Sequence, residues 1–276
     1  MATPEKYPYL HHPCYSESRR DLWARIHLPV ARFCNVKCVF CDHSVGSSCH
    51  TSKPGYASSL MNPEEAISRT MEEVEKNPRL KIVAVSGPGE PLANEATFTT
   101  LEGIRTKNKE LNFCLSTNGV LLEDTVLQLE ELGVTTISVS MSAIFPETAA
   151  QVYEWALIDG ERLQGQEMGE TLIMKQLAGI ERAIDLGFTI KVNTILIQNI
   201  NMRDISSLSK QLSKSGVSLQ NIVPLISSDN TPKLISPSRE ELDQARLIGS
   251  MNILQFTNCK QCRSDVVGIP GEDRIL

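Results

Sequence analysis

Six short apolar runs, each followed by a helical pattern, constrain the fold of this chain more than any other feature. The runs are residues 22–31, "LKIVAVS", "NFCLSTNG", "VTTISVSMSA", "FTIKVNTILI" and "LQNIVPLI". Between the first two, Asn62 precedes Pro63 and two acids, the pattern of an N-cap and an acidic first turn. Further helices are expected around 95–109, around 122–132 up to Gly133, over "MRDISSLSKQLSKSG" up to Gly216, and around 238–250. The stretch between the fourth and fifth strands reads as a longer helix, broken near Gly160 and Gly165 and ending at Gly187. Such alternation predicts one α/β domain with a parallel sheet, open or curled into a barrel. No linker interrupts it, so the core is placed at about 22–228, with extensions at 1–21 and 229–276. Chemistry in such folds collects at the C-terminal ends of the strands. The cysteine loop after the first strand, "GPGEP" and "STNG" all fall at those ends and are expected to share one face.

Composition narrows the function. A chain of 276 residues can bury a substantial core without disulfide staples. Its net charge of −6 argues against a phosphate-backbone partner, so no nucleic acid is expected. No run approaches the ~18 apolar residues of a membrane span. The N-terminus lacks the basic-then-apolar pattern of a secretory signal, which predicts a cytoplasmic location. The eight cysteines are clustered rather than spread: Cys14, Cys34, Cys38, Cys41 and Cys49, then Cys114, then Cys259 and Cys262. In a reducing compartment such thiols read as metal ligands, not bridges.

The stretch "CNVKCVFC", residues 34–41, holds three of them. Zinc is one reading, since Cys38 with Cys41 and Cys259 with Cys262 have zinc-like spacing. That reading leaves Cys34 without a role. The other is a four-iron cluster, whose usual set is four thiolates; three in one tight loop leave one iron open to a further ligand. "GPGEP" alone is weak, because it could be only a turn. After a strand and downstream of the cysteine loop, its glycines could let the backbone approach a ligand closely.

Strand parity orients two other side chains. In "NFCLSTNG", Cys114, Ser116 and Asn118 share one face, and Phe113, Leu115 and Thr117 the other. The apolar face belongs against helices, so Cys114 points into the barrel. His27 points inward by the same rule, opposite Ile26, Leu28 and Val30. A lone inward histidine is most often a core residue. Here five cysteines remain outside the triple, and imidazole is a competent iron ligand. Glu64 and Glu65, and His11, His43 and His50, read as surface residues.

The spacing C-x3-C-x-aromatic-C, with Phe40 as the aromatic, resembles the signature of the radical S-adenosylmethionine (SAM) enzymes. "HPCY", "ARIH", "SGPGEPLAN", "LSTNG", "WALIDGERLQG", "KVNTILI", "NIVPLI" and "CKQCRSDVVGIPGEDR", in that order, resemble one of its families, NifB, the nitrogenase cofactor maturases. The resemblance implies a partial TIM barrel of about six β/α units, closed by the N- and C-terminal extensions. It implies that Cys34, Cys38 and Cys41 hold a 4Fe-4S cluster whose open iron binds SAM, and that an electron from it cleaves SAM to methionine and a 5′-deoxyadenosyl radical. Gly87, Gly89, Glu90, Ser116, Thr117, Asn118, Ser140, Val192 and Asn193 are the implied SAM contacts. Two further 4Fe-4S clusters are the implied substrates, with Cys14, His27, Cys49, Cys114, Cys259 and Cys262 as their ligands, unsorted between the two. The implied reaction fuses them, with a SAM-derived carbide and an extra sulfide, into an 8Fe-9S-C precursor, a second SAM being spent on hydrogen abstraction. Cluster donors, a low-potential electron donor and a downstream carrier or scaffold are the implied partners. Some relatives carry an appended cofactor-carrying domain, so this chain reads as the minimal form. Another radical SAM enzyme with auxiliary clusters, or a passive iron–sulfur carrier, are the competing readings.

Overall fold

The computed structural model describes residues 11–16, 22–41, 45, 55–227 and 234–276. The six expected strands are present: β1 (Ala24–His27), β3 (Leu80–Val85), β4 (Asn112–Thr117), β5 (Val134–Ser140), β8 (Thr189–Leu196) and β9 (Leu219–Pro224). They pair in parallel in that order. Helices return the chain between them: α1 (Pro63–Lys76), α2 (Glu95–Lys107), α3 (Leu122–Glu131), α4 (Pro146–Val152), α5 (Gly165–Asp185) and α6 (Ile205–Lys214), with α7 (Arg239–Ser250) after β9. Asn62 caps α1 as expected: its side chain accepts from the Glu65 amide, and the Glu65 carboxylate accepts from the Asn62 amide. Glu64 and Glu65 are exposed. Among the described residues no helix is long and apolar enough to cross a membrane.

Alternation within each strand splits the molecule into two layers. Ile26, Val83, Phe113, Leu115, Ile137, Val139, Ile190 and Val192 face the helices and pack with Leu101, Ile104, Val126, Leu172, Ile180 and Leu208. The opposite faces look into the barrel. A smaller apolar group, built from Tyr15, Ile82, Ala84, Cys114, Leu219 and Phe256, fills part of that interior.

The expected helix between the fourth and fifth strands is corrected by the structure. Only α4 and α5 are helical; residues 153–163 form a hairpin, β6 (Tyr153–Ile158) and β7 (Glu161–Leu163). The turn is Asp159–Gly160, with φ of +50° and +85°, the geometry that matches strand twist in a two-residue loop. Tyr153, Trp155 and the branched Ile158 also favour a strand over a helix. The hairpin pairs with a short strand inside the cysteine loop, β2 (Val36–Cys38), in antiparallel register.

The C-terminal segment runs between the two edges of the parallel set. Gln255 bridges to Gln220 at the β9 edge, where the Phe256 amide donates to the Gln220 carbonyl at 2.7 Å. Ten residues later, β10 (Val266–Gly268) pairs antiparallel with β1 and carries β11 (Arg274–Ile275) outside it. The ladder itself stays open, in the order β11-β10-β1-β3-β4-β5-β8-β9. The part of the segment between the two contacts holds Cys259 and Cys262 and lies against the barrel cavity.

Candidate functional site

The cysteine loop, "GPGEP" and "STNG" meet through a polar network. Glu90 is buried. One of its carboxylate oxygens accepts from the Leu92 amide at 3.0 Å and the Thr117 hydroxyl at 2.5 Å; the other accepts from the Asn118 amide at 2.6 Å. Burial pushes its carboxyl up to about 7 despite those three donors. Asn118 Nδ2 donates to Asn35 Oδ1 at 2.7 Å, reaching into the cysteine loop. Gln176 Nε2 donates to the carbonyls of Asn118 and Ser140, adding the end of β5.

Gly89 packs against the backbone entering the loop. Its amide donates to Ala31, and the Glu90 amide to Phe33. A β-carbon on Gly89 would collide with the Phe33 carbonyl and lie 2.7 Å from that of Arg32. The residue is therefore needed where two stretches of backbone touch. At Gly87, φ is +148° and a β-carbon would meet the Ser264 hydroxyl at 2.6 Å.

Cys34, Cys38 and Cys41 are half-buried and form no disulfide. Burial pushes the Cys34 thiol up to about 12, with Glu90 and Cys41 adding to the rise. Burial, then Cys41 and Cys34, holds Cys38 well above an ordinary thiol. Cys34 and Cys38 thus sense each other and Cys41, and both would lose their protons most readily when a cation binds. Among the described residues no three His, Cys, Asp or Glu side chains converge on a single metal-ion position.

The barrel interior encloses a cavity of about 280 Å³. Cys14, His27, Cys114, Cys259 and Cys262 all line it, arriving from the N-terminal extension, β1, β4 and the C-terminal segment. Cys49 lies outside the described residues, as do His43 and His50. Ser116, Ser140 and Asn193 also line the cavity; Glu90, Thr117 and Asn118 belong instead to the network above, and Gly87 and Gly89 to the backbone that leads into it. Val192 does not face it. Its side chain is fully buried among the apolar residues on the helix side of the sheet, because strand alternation sends Lys191 and Asn193 inward and Val192 outward.

His27 has a defined tautomer. Its Nδ1 lies 2.8 Å from the Arg263 carbonyl, which can only accept, so Nδ1 carries the proton and Nε2 keeps a lone pair. Burial, then the Arg25 charge, pushes its pKa down to about 3, which keeps the ring neutral. Burial also pushes the Cys114 and Cys262 thiols up to about 11.

Among the cavity residues that the sequence reading did not single out are Arg25, Lys191 and His12, with Tyr15 packed against the last two. Arg25, buried, donates to Cys262 Sγ at 3.0 Å, to the Gly268 carbonyl at 2.6 Å and to Asp273 at 2.5 Å. Lys191 Nζ donates to the Cys14 carbonyl at 3.1 Å and lies 4.7 Å from the centre of the Tyr15 ring. Tyr15 reaches Ser138 through its hydroxyl at 3.2 Å. His12 is buried on the cavity wall. Parity with His27 and Asn193 was the available signal for Arg25 and Lys191. His11, by contrast, is exposed and stacks on Trp23.

Comparison with known proteins identifies the family and the fold. The sequence model of the radical SAM superfamily matches residues 28–212. The FeMo cofactor biosynthesis protein NifB of Klebsiella pneumoniae is 40% identical over 270 residues, covering 95% of this chain and 58% of that protein. The protein of the same name from Methanocaldococcus jannaschii is 40% identical over 265 residues, covering 96% of this chain and 88% of its own. This chain therefore spans just over half of the Klebsiella protein and most of the Methanocaldococcus one. Among solved structures, a radical SAM methyltransferase from Sphaerobacter thermophilus superposes with a TM-score of 0.61 at 17% identity, over 86% of this chain and 65% of that one. The structure of anSMEcpe with bound AdoMet and Cp18Cys peptide gives 0.52 at 17% identity, over 74% and 51%. These likenesses show the fold, a partial TIM barrel. Superfamily match, fold and relatives converge: the chain belongs to the radical SAM superfamily of enzymes and, within it, to the NifB family.

Proposed function

We propose that this chain joins two 4Fe-4S clusters, with a SAM-derived carbide and an extra sulfide, into an 8Fe-9S-C precursor of the nitrogenase cofactor. One observation carries the reading. Five of the six side chains assigned to the substrate clusters come from four separate parts of the chain and line the same cavity. The relatives' name, FeMo cofactor biosynthesis, supplies the class of product.

Cys34, Cys38 and Cys41 are assigned to the resident cluster. Their donor set fits: three soft sulfur donors on a loop pinned to β6 and to Asn118. That cluster, when bound, supplies the electron for reductive cleavage of SAM. The chain does the rest. Gly87, Gly89, Glu90, Thr117 and Asn118 shape the SAM site beside the loop, and Ser116, Ser140 and Asn193 extend it into the cavity. Val192 contributes no side-chain contact. The substrate clusters are received by Cys14, Cys114, Cys259, Cys262 and His27 Nε2, with Cys49 assigned on the resemblance alone. Arg25 and Lys191 bring positive charge to a space that would gather several thiolates. Ala84, Ile195 and Val223 make part of its wall apolar and limit water.

The same reading makes residues 1–276 one domain whose two extensions supply ligands. It assigns the chain to the reducing cytoplasm, where the thiols stay reduced. It requires cluster donors, a low-potential electron donor and an acceptor for the product. Anaerobic reconstitution tests it: about twelve irons per chain are expected for three four-iron clusters, and about four would exclude the two substrate clusters. Replacing Cys34, Cys38 and Cys41 together with Ala should abolish 5′-deoxyadenosine formation while leaving the other iron bound.

A further inference from the structure

Two buried histidines line the cavity, and their ring nitrogens are set in opposite ways. His27 gives its Nδ1 proton to the Arg263 carbonyl and keeps a lone pair on Nε2. His12 does the reverse. Its Nδ1 accepts from the Cys14 backbone amide at 3.2 Å. An amide N–H can only donate, so His12 Nδ1 holds the lone pair and Nε2 holds the proton. That Nε2 atom is buried and has no hydrogen-bond partner among the described residues. His12 is 2% exposed and packs edge-on against Tyr15, with ring centres 4.7 Å apart. Leaving a buried N–H without an acceptor is costly, so an unpartnered N–H on a residue that lines the cavity is a donor available to what the cavity takes up. Arg25 Nε, on the same wall, is likewise buried and unpartnered.

We propose that His12 is a positioning residue that donates an Nε2–H···S hydrogen bond to a sulfur of the cluster held by Cys14. This rests on the cluster-binding reading above and adds a residue and a role to it. The tautomer separates donor from ligand. To bind iron through Nε2, His12 would have to move its proton to Nδ1, where the Cys14 amide already points a hydrogen. The bond from the Cys14 amide also places the donor two residues from a candidate ligand, so the ring and the thiol are oriented by one short turn. A hydrogen bond to a cluster sulfur favours the reduced, more negatively charged state, and so raises the reduction potential.

The test uses the full chain, anaerobically reconstituted, as wild type, His12→Phe and His12→Gln. Phe keeps the aromatic packing on Tyr15 and removes the donor; Gln places an amide N–H close to the position of Nε2. The readouts are iron per chain and an EPR-monitored redox titration of the auxiliary clusters. The expected result is unchanged iron, one auxiliary midpoint shifted to more negative potential in His12→Phe, and its recovery in His12→Gln. Unchanged iron with no shift overturns the proposal and leaves the cluster reading intact. Loss of a whole cluster's iron in His12→Phe with retention of fold makes His12 a ligand and also overturns it. About four irons per chain in the wild type would overturn the cluster reading and this proposal together. Wild-type protein with 15N-labelled histidine supplies a readout that needs no substitution. Pulsed EPR should show one strongly coupled nitrogen from His27 and one weakly coupled nitrogen from His12. Two strong couplings, or no weak one, contradict the assignment.

Discussion

Arg25 Nη2 donates to Cys262 Sγ at 3.0 Å, so the first barrel strand holds a cysteine of the C-terminal extension directly. The same guanidinium forms a 2.5 Å ion pair with Asp273 and is itself fully buried. Burial works against its charge, but Cys262, Cys14 and Asp273 outweigh that and keep it firmly protonated. Replacing it with Ala would strand Asp273 and unfasten β10. The expected loss is about 3 kcal/mol in urea denaturation of the metal-free protein, the scale for breaking a buried pair. Reconstituted Arg25→Ala should also retain less auxiliary iron than the wild type.

Gly89 is expected to tolerate no side chain, because the Phe33 and Arg32 carbonyls occupy the space a β-carbon needs. Gly89→Ala should cost about 1–3 kcal/mol as overpacking. It should also displace the loop before Cys34, which lowers SAM-cluster occupancy measured as the EPR signal of the reduced protein. Gly160 is the control. Its φ is +85°, but a β-carbon there meets nothing within 4 Å. Gly160→Ala should therefore leave that signal at the wild-type level.

Glu90 gives a pH dependence with a definite sign. Its carboxyl sits at about 7 in the folded chain, against an ordinary value of 4.5. The folded state therefore keeps a proton that the unfolded state releases. This contribution is fully present below pH 4.5 and is lost as the pH rises through about 7. Across that window the slope is up to ~1.4 kcal/mol per pH unit. Urea denaturation of metal-free wild type and Glu90→Gln, compared at several pH values, should show the difference between them changing over this window. A constant difference would contradict the burial argument.

Much of this was legible in the sequence, for local reasons. Six strands with period-two alternation were visible, and the same alternation turned His27 and Cys114 inward, where they line the cavity. Applied to "KVNTILI" it would have selected Lys191 and Asn193 and rejected Val192. What stayed hidden depends on distant partners. Residues 153–163 read as helix because β6 is short and its partner β2 lies in the cysteine loop, more than a hundred residues earlier. β10 has three residues and is a strand only because β1 offers an edge. His12 could not be distinguished from a packed core histidine, since its role turns on which ring nitrogen meets the Cys14 amide.

The central claim is that SAM carbon enters an iron–sulfur product in this chain's cavity. The most direct measurement supplies the reconstituted, reduced protein with SAM carrying an isotopically labelled methyl group. The iron–sulfur material is then separated from the small molecules, and the label is located. Label in the iron–sulfur fraction, dependent on Cys34, Cys38 and Cys41, is the expected result. Label confined to methionine and other small SAM-derived products would contradict the account.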